Sequence, residues 1–179
     1  GVPVPLDERK IEISAKKNHA ELDEFVVKSY SSEEREARAK MSALISRSYD
    51  QRLFTSTQGT FSERLSDGSF IITPYGIDRK YVTAESIVRI KDGMKELGKN
   101  PSRSVKLHEE IYKAHPEINS LIIAHPPNIM AFAVSDAEFD SRIIPESYIM
   151  LRDIPKLPFG SSFMQPALTA KEINEVTPV

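Results

Sequence analysis

The stretch "SLIIAHPPN", residues 120–128, carries an apolar run to a single histidine, His125, followed by two prolines. An imidazole at a strand end can ligate a metal or move a proton near neutral pH. A catalytic zinc, however, takes three protein ligands converging on one point. The other histidines are His19, His108 and His115, and the chain has no cysteine. That removes thiolate zinc sites, cysteine nucleophiles and disulfides. On residue type and spacing, His125 is expected to hydrogen-bond a backbone carbonyl rather than to hold an ion. His19 lies in a polar segment, and His115 at a helix end can meet the carbonyl end of the helix dipole. Neither is given a function.

The elements that must position these residues can be read along the chain. Ser31 followed by Glu34 is a capping-box pattern, and Ala37, Met41, Leu44 and Ile45 give the apolar face of a helix ending near Tyr49. Residues 1–31 read as an N-terminal arm or linker. It opens proline-rich and charged, and Leu22, Phe25 and Val26 are spaced as a short helix that docks elsewhere. Residues 32–179 make up the domain that follows. Residues 70–73 come after the turn "SDGS" as a strand, residues 87–91 alternate as a half-buried strand, and residues 121–124 form a buried one. "NPSRSVKLHEEIYKAHPE" carries helix signals: Ser102 as cap, Leu107 and Ile111 toward the core, Pro116 as stop. Met130 to Val134 is a further apolar segment, and Thr169 with Glu172 reads as a capping box for a short helix. Strands mixed with helices, without regular βαβ alternation, predict an α/β fold, an α/β/α sandwich with a mainly antiparallel central sheet.

The 179 residues, 40% hydrophobic and 28% charged, suit one domain with a substantial core. Basic and acidic residues number 24 and 26 and are well mixed, so nothing marks a nucleic-acid or acidic-membrane surface. No apolar run nears the roughly 20 residues of a membrane span, and no signal pattern opens the chain. The absence of cysteine fits a reducing compartment, and a cytoplasmic location is expected.

Taken in order, "TQGTFSERLSDGSFIITPYGIDRKYVTAESIV", "KNPSRSVKLHEEIYKAHPEINSLIIAH" and "IPESYIML…LPFGS" resemble the class II aldolase/adducin family, with its fuculose-phosphate-aldolase-like domain. The resemblance implies a metal-dependent lyase site and a cyclic homotetramer. In such a site zinc on three histidines polarises a carbonyl and a glutamate serves as acid and base. Two of the ligands belong to an His-x-His at a strand end, where alternate residues share a face. Here that triplet is Ile123, Ala124 and His125, so His125 keeps one metal position and Ile123 cannot coordinate. Ser104 stands where the family has its glutamate, and a hydroxyl is no useful base near neutral pH. The third histidine lies in a later strand, and no histidine follows His125. The C-terminal part of the family domain is therefore expected to be missing from this chain.

The family's phosphate cradle is retained in part. Gly59, Thr73, Gly76 and Ser102 match, Thr60 replaces an asparagine, and Arg103 replaces a serine, where it can strengthen anion binding. Tyr75 takes a slot that is usually small and can fill the pocket. Simpler roles stand beside these. Gly59 and Gly76 can serve turn geometry alone, Ser102 and Arg103 a capped helix start, His108 the family's packing position, and Glu109 and Glu110 a solvated face. Glu146, in "IPESY", is the one carboxylate placed to replace the lost base, with a surface or capping role as its simpler reading.

The expectation is a catalytically degenerate binding or assembly module, homo-oligomeric, with a phosphorylated small sugar as ligand and no cofactor. The alternative is a zinc-dependent sugar-phosphate aldolase or epimerase with an altered site. A third reading makes the chain part of a longer polypeptide that carries the chemistry elsewhere. No nucleic-acid or membrane partner is expected.

Overall fold

Residues 22–152 and 154–173 are described by a computed structural model. Its strands are β1 (Glu24–Phe25), β2 (Thr60–Arg64), β3 (Phe70–Ile72), β4 (Val88–Lys91), β5 (Met94–Glu96) and β6 (Ser120–Ile123). They form one sheet in the order β1-β5-β4-β3-β2-β6, antiparallel throughout except where β1 meets β5. The helices are α1 (Ser32–Asp50), α2 (Val105–Ala114), α3 (Pro127–Ala133), α4 (Pro145–Leu151), α5 (Ser161–Met164) and α6 (Pro166–Lys171).

Successive strand residues face opposite sides of a sheet, and β3 uses both. Ile71 packs with Ala37, Met41 and Ile45 of α1. Phe70 and Ile72 pack with Val88, Ile90 and, from α2, Val105 and Tyr112. Helices on both faces of a mainly antiparallel sheet make the expected α/β/α sandwich. No helix among the described residues is long and apolar enough to cross a membrane.

Four local readings are corrected. Ser31 does cap α1, its Oγ accepting from the Glu34 N–H at 3.1 Å, but Glu34 does not close the box. Its fully buried carboxylate instead accepts from Arg38 Nε and Nη2 at 2.9 and 2.7 Å and from Arg89 Nη1 at 2.8 Å. Arg38 also pairs with Glu96 at 2.7 Å. The buried Arg38 and the part-buried Arg89 therefore each have a carboxylate, as the desolvation cost demands. Second, Leu22, Phe25 and Val26 belong to no helix: Glu24–Phe25 adds a parallel strand to the sheet edge. Three apolar residues in so short a stretch cannot separate the two periods, and strand pairing decides. Residues 1–21 lie outside the described residues. Third, residues 121–124 are not a buried strand. β6 is the opposite sheet edge, with Ile122 48% exposed and only Leu121 and Ile123 turned toward the α2 side. Fourth, Thr169 is interior to α6, because Pro166 begins that helix earlier.

Candidate functional site

Several element ends meet at one end of the sheet. The turn at Gly59 leads into β2, the turn "TPYG" (residues 73–76) leaves β3, residues 101–104 precede α2, and β6 runs out at His125. They enclose a cleft of about 750 Å³, in the range of small-molecule sites. Gly59, Thr60, Gly76, Ser102, Arg103, Ser104 and His125 all line it, with Leu107 and Ile123 as apolar surface and Phe159 and Phe163 in the facing segment 157–163. The two turns are stitched together by Tyr75 N–H to Asn100 O at 2.8 Å and Ser102 N–H to Thr73 O at 2.9 Å.

Two candidates lie elsewhere. Thr73 is fully buried and its hydroxyl is used within the sheet, donating to Phe61 O at 3.0 Å and accepting from Phe61 N–H at 2.8 Å. Glu146 is exposed in the first turn of α4, where a carboxylate suits the helix dipole. It does not line the cleft.

The glycines differ in what they require. Both have positive φ, +97° at Gly59 and +74° at Gly76, which an L side chain rarely adopts. A Cβ at Gly76 would meet open space, whereas one at Gly59 would lie 2.3 Å from Phe54 Cδ1 in the core.

The hydroxyls form a closed set. Thr60 Oγ1 and Ser102 Oγ are 2.7 Å apart, and Ser104 Oγ is 3.1 Å from each. All three side chains are buried. Ser102 does not cap α2: the N-cap is Ser104, with no side-chain cap bond. The hydroxyl at the base position is thus occupied by its two neighbours.

His125 departs from its expected bonding. Its backbone N–H donates to Leu53 O at 2.9 Å, but its ring Nδ1 is buried with no partner among the described residues. Burial holds its pKa below the ordinary histidine value, so the ring is neutral at pH 7. Thr169 Oγ1, lining the same cleft, is likewise buried and unpartnered. Buried polar atoms normally have partners, so these two atoms are exceptions, and both belong to residues that line the cleft.

His108 belongs to the core, as its simpler reading held. It is fully buried on α2, with Nδ1 2.6 Å from Ser62 Oγ, which also lies 2.8 Å from Tyr112 Oη. Burial depresses its pKa to about 3. An unfolded chain takes up this proton near 6.5 while the folded chain does not, so stability falls as pH drops below 6.5 toward 3. At about 1.4 kcal/mol per pH unit, moving from pH 7 to pH 5 should cost about 2 kcal/mol through this group. Urea denaturation at both pH values should show that loss, and a smaller one in His108→Gln. An unchanged loss in the variant would place the proton elsewhere.

Arg79 was not singled out from sequence, Thr169 was read only as a helix cap, and the segment 157–163 entered only through "LPFGS" in the resemblance. Arg79 sits in "GIDRKY", which reads as a solvated turn, and only the fold reveals that its side chain is buried. With it counted, the described lining holds two arginines and no aspartate or glutamate.

This donor set does not fit zinc. His125 is the only imidazole in the described lining, Ile123 stands beside it, and no group of three or more His, Cys, Asp or Glu able to hold a metal occurs among the described residues. A catalytic zinc needs three such ligands.

The family model for the class II aldolase and adducin N-terminal domain matches residues 39–175. A 5-methylthioribulose-1-phosphate/5-deoxyribulose-1-phosphate aldolase of Escherichia coli is 40% identical over 79 residues, 44% of this chain and 37% of that protein. An L-fuculose phosphate aldolase of Methanococcus vannielii is 27% identical over 59% of this chain and 58% of its own length. The chain thus spans well under two thirds of these relatives. Among solved structures, a putative aldolase/epimerase/decarboxylase of Escherichia coli, YgbL, superposes with TM-score 0.65 at 21% identity, covering 76% of this chain and 71% of that one. The L-fuculose-1-phosphate aldolase of Thermus thermophilus gives 0.60 at 22% identity, with coverages of 79% and 71%. With most of its length matched by the family model and its fold shared with these structures, the chain belongs to the class II aldolase and adducin N-terminal domain family.

Proposed function

We propose that this domain binds a phosphorylated small sugar or polyol in the cleft without performing metal-dependent aldol cleavage. The observation that carries this reading is the make-up of the described lining: two arginines, a cluster of hydroxyls and turn glycines, and no carboxylate. The two guanidinium groups attract a phosphate and supply hydrogen-bond donors to it. The phosphate esters named for the relatives agree with that ligand class. What the described lining lacks is a carboxylate base: Ser104 stands at that position, tied to Thr60 and Ser102. Among the described lining residues zinc would find the imidazole of His125 alone.

One observation favours the second reading, a lyase with an altered site. The ring Nδ1 of His125 has no hydrogen-bond partner among the described residues. It would need further ligands from outside the described residues.

Titration with glycerol 3-phosphate, followed by amide NMR, tests the first reading. Shifts should concentrate at Gly59, Gly76, Ser102 and Arg103 and saturate at millimolar ligand or below. Saturable binding elsewhere, or none, would refute it.

A further inference from the structure

Arg79 is 2% exposed, as buried as Arg38. Their partners differ in kind. Arg38 has the carboxylates of Glu34 and Glu96, and Arg89 has those of Glu34 and Asp67. Arg79 has only carbonyl oxygens: its Nε donates to Gly59 O at 2.8 Å, and its Nη1 donates to Pro74 O at 3.0 Å and Ile77 O at 2.7 Å. No ion pair to Arg79 and no acceptor for its Nη2 occurs among the described residues. The side chain lines the cleft. Burial pulls its pKa down to about 10, the neighbouring Asp78 opposes this and Arg103 adds like-charge repulsion. The group stays cationic at neutral pH. A buried charge with no carboxylate in contact is costly, and the cost is lessened when an anion arrives.

We propose that Arg79 is the specificity-determining residue of this cleft, selecting a doubly charged phosphate monoester over singly charged anions through its Nη2. The proposal rests on the reading of the cleft as a phosphate-ester site. Three carbonyl bonds fix the guanidinium plane, so the two remaining N–H groups on Nη2 are oriented before the ligand binds. That limits the ordering cost of recognition. A monoester carries about −1.5 to −2 at pH 7, which Arg79 and Arg103 together balance, whereas a diester leaves positive charge uncompensated. A residue serving only to clamp the turns would use the same three carbonyls but would not discriminate between the two esters.

The test compares glycerol 3-phosphate with its methyl diester by calorimetry on the full chain, in wild type, Arg79→Lys and Arg103→Ala, each checked for folding. Wild type should prefer the monoester by about tenfold or more, the range of one hydrogen bond to a charged group. Arg103→Ala should weaken monoester binding yet keep most of the preference. Arg79→Lys should reduce the preference to about twofold or less, since a lysine cannot reproduce the fixed fork. If folded Arg79→Lys keeps both affinity and preference, Arg79 is only a clamp and the proposal is wrong. If Arg79→Lys does not fold, the Arg103→Ala arm still decides: loss of all preference there would assign selectivity to Arg103 and overturn the proposal. A wild type that prefers neither ester overturns it as well. A wild type that binds neither refutes the phosphate-ester reading itself.

Discussion

Gly59→Ala is expected to destabilise the domain by about 2–6 kcal/mol, combining a strained positive φ with overpacking of a filled core. The new Cβ would lie 2.3 Å from Cδ1 and 2.5 Å from Cγ of Phe54. That ring is 1% exposed and packs with the cluster that includes Met41, Ile45 and Ile71, so it has little room to withdraw. The consequence reaches the site directly, because Gly59 O accepts the bond from Arg79 Nε and Thr60 begins the hydroxyl cluster. Gly76→Ala is the control. Its φ is also positive but its Cβ would meet open space, so only the backbone term applies, about 1–3 kcal/mol. Urea denaturation of both variants checks this. Equal losses would show that Phe54 yields and that Gly59 serves the turn alone.

The legibility of this fold and cleft follows from what kind of signal each part leaves. The sandwich was readable because β3 and β4 and helices α1 and α2 carry their own periodicity, and because Pro116 and the Ser31 cap mark ends locally. β6 was misread because an apolar run does not report which of its faces is covered. Glu34 was misread because its spacing from Ser31 is the same whether the carboxylate turns back to the cap or inward to Arg38 and Arg89. In the cleft, the turn residues and His125 could be found by resemblance. Arg79 could not, since a charged residue in a turn is ordinarily solvated, and its burial depends on turns brought together by the sheet. Thr73 shows the converse: a matching residue whose hydroxyl the strand pairing had already used.

The proposed absence of metal-dependent lyase activity carries the largest expected effect. Losing the general base alone removes about 10²–10⁴-fold in rate, and the described residues offer no set of three ligands to hold a zinc that would polarise the carbonyl. Restoring residues piecemeal should not help. In Ile123→His with Ser104→Glu, the new carboxylate must displace the hydroxyl pairs of Thr60 and Ser102, and a third ligand is still wanting among the described residues. The most direct measurement is aldehyde release from L-fuculose 1-phosphate and 5-methylthioribulose 1-phosphate by the purified chain with added zinc, alongside this double variant. Neither protein should release aldehyde above the buffer rate. Release by the wild-type chain that disappears on chelation and in His125→Ala would contradict this expectation and establish the altered-site lyase instead.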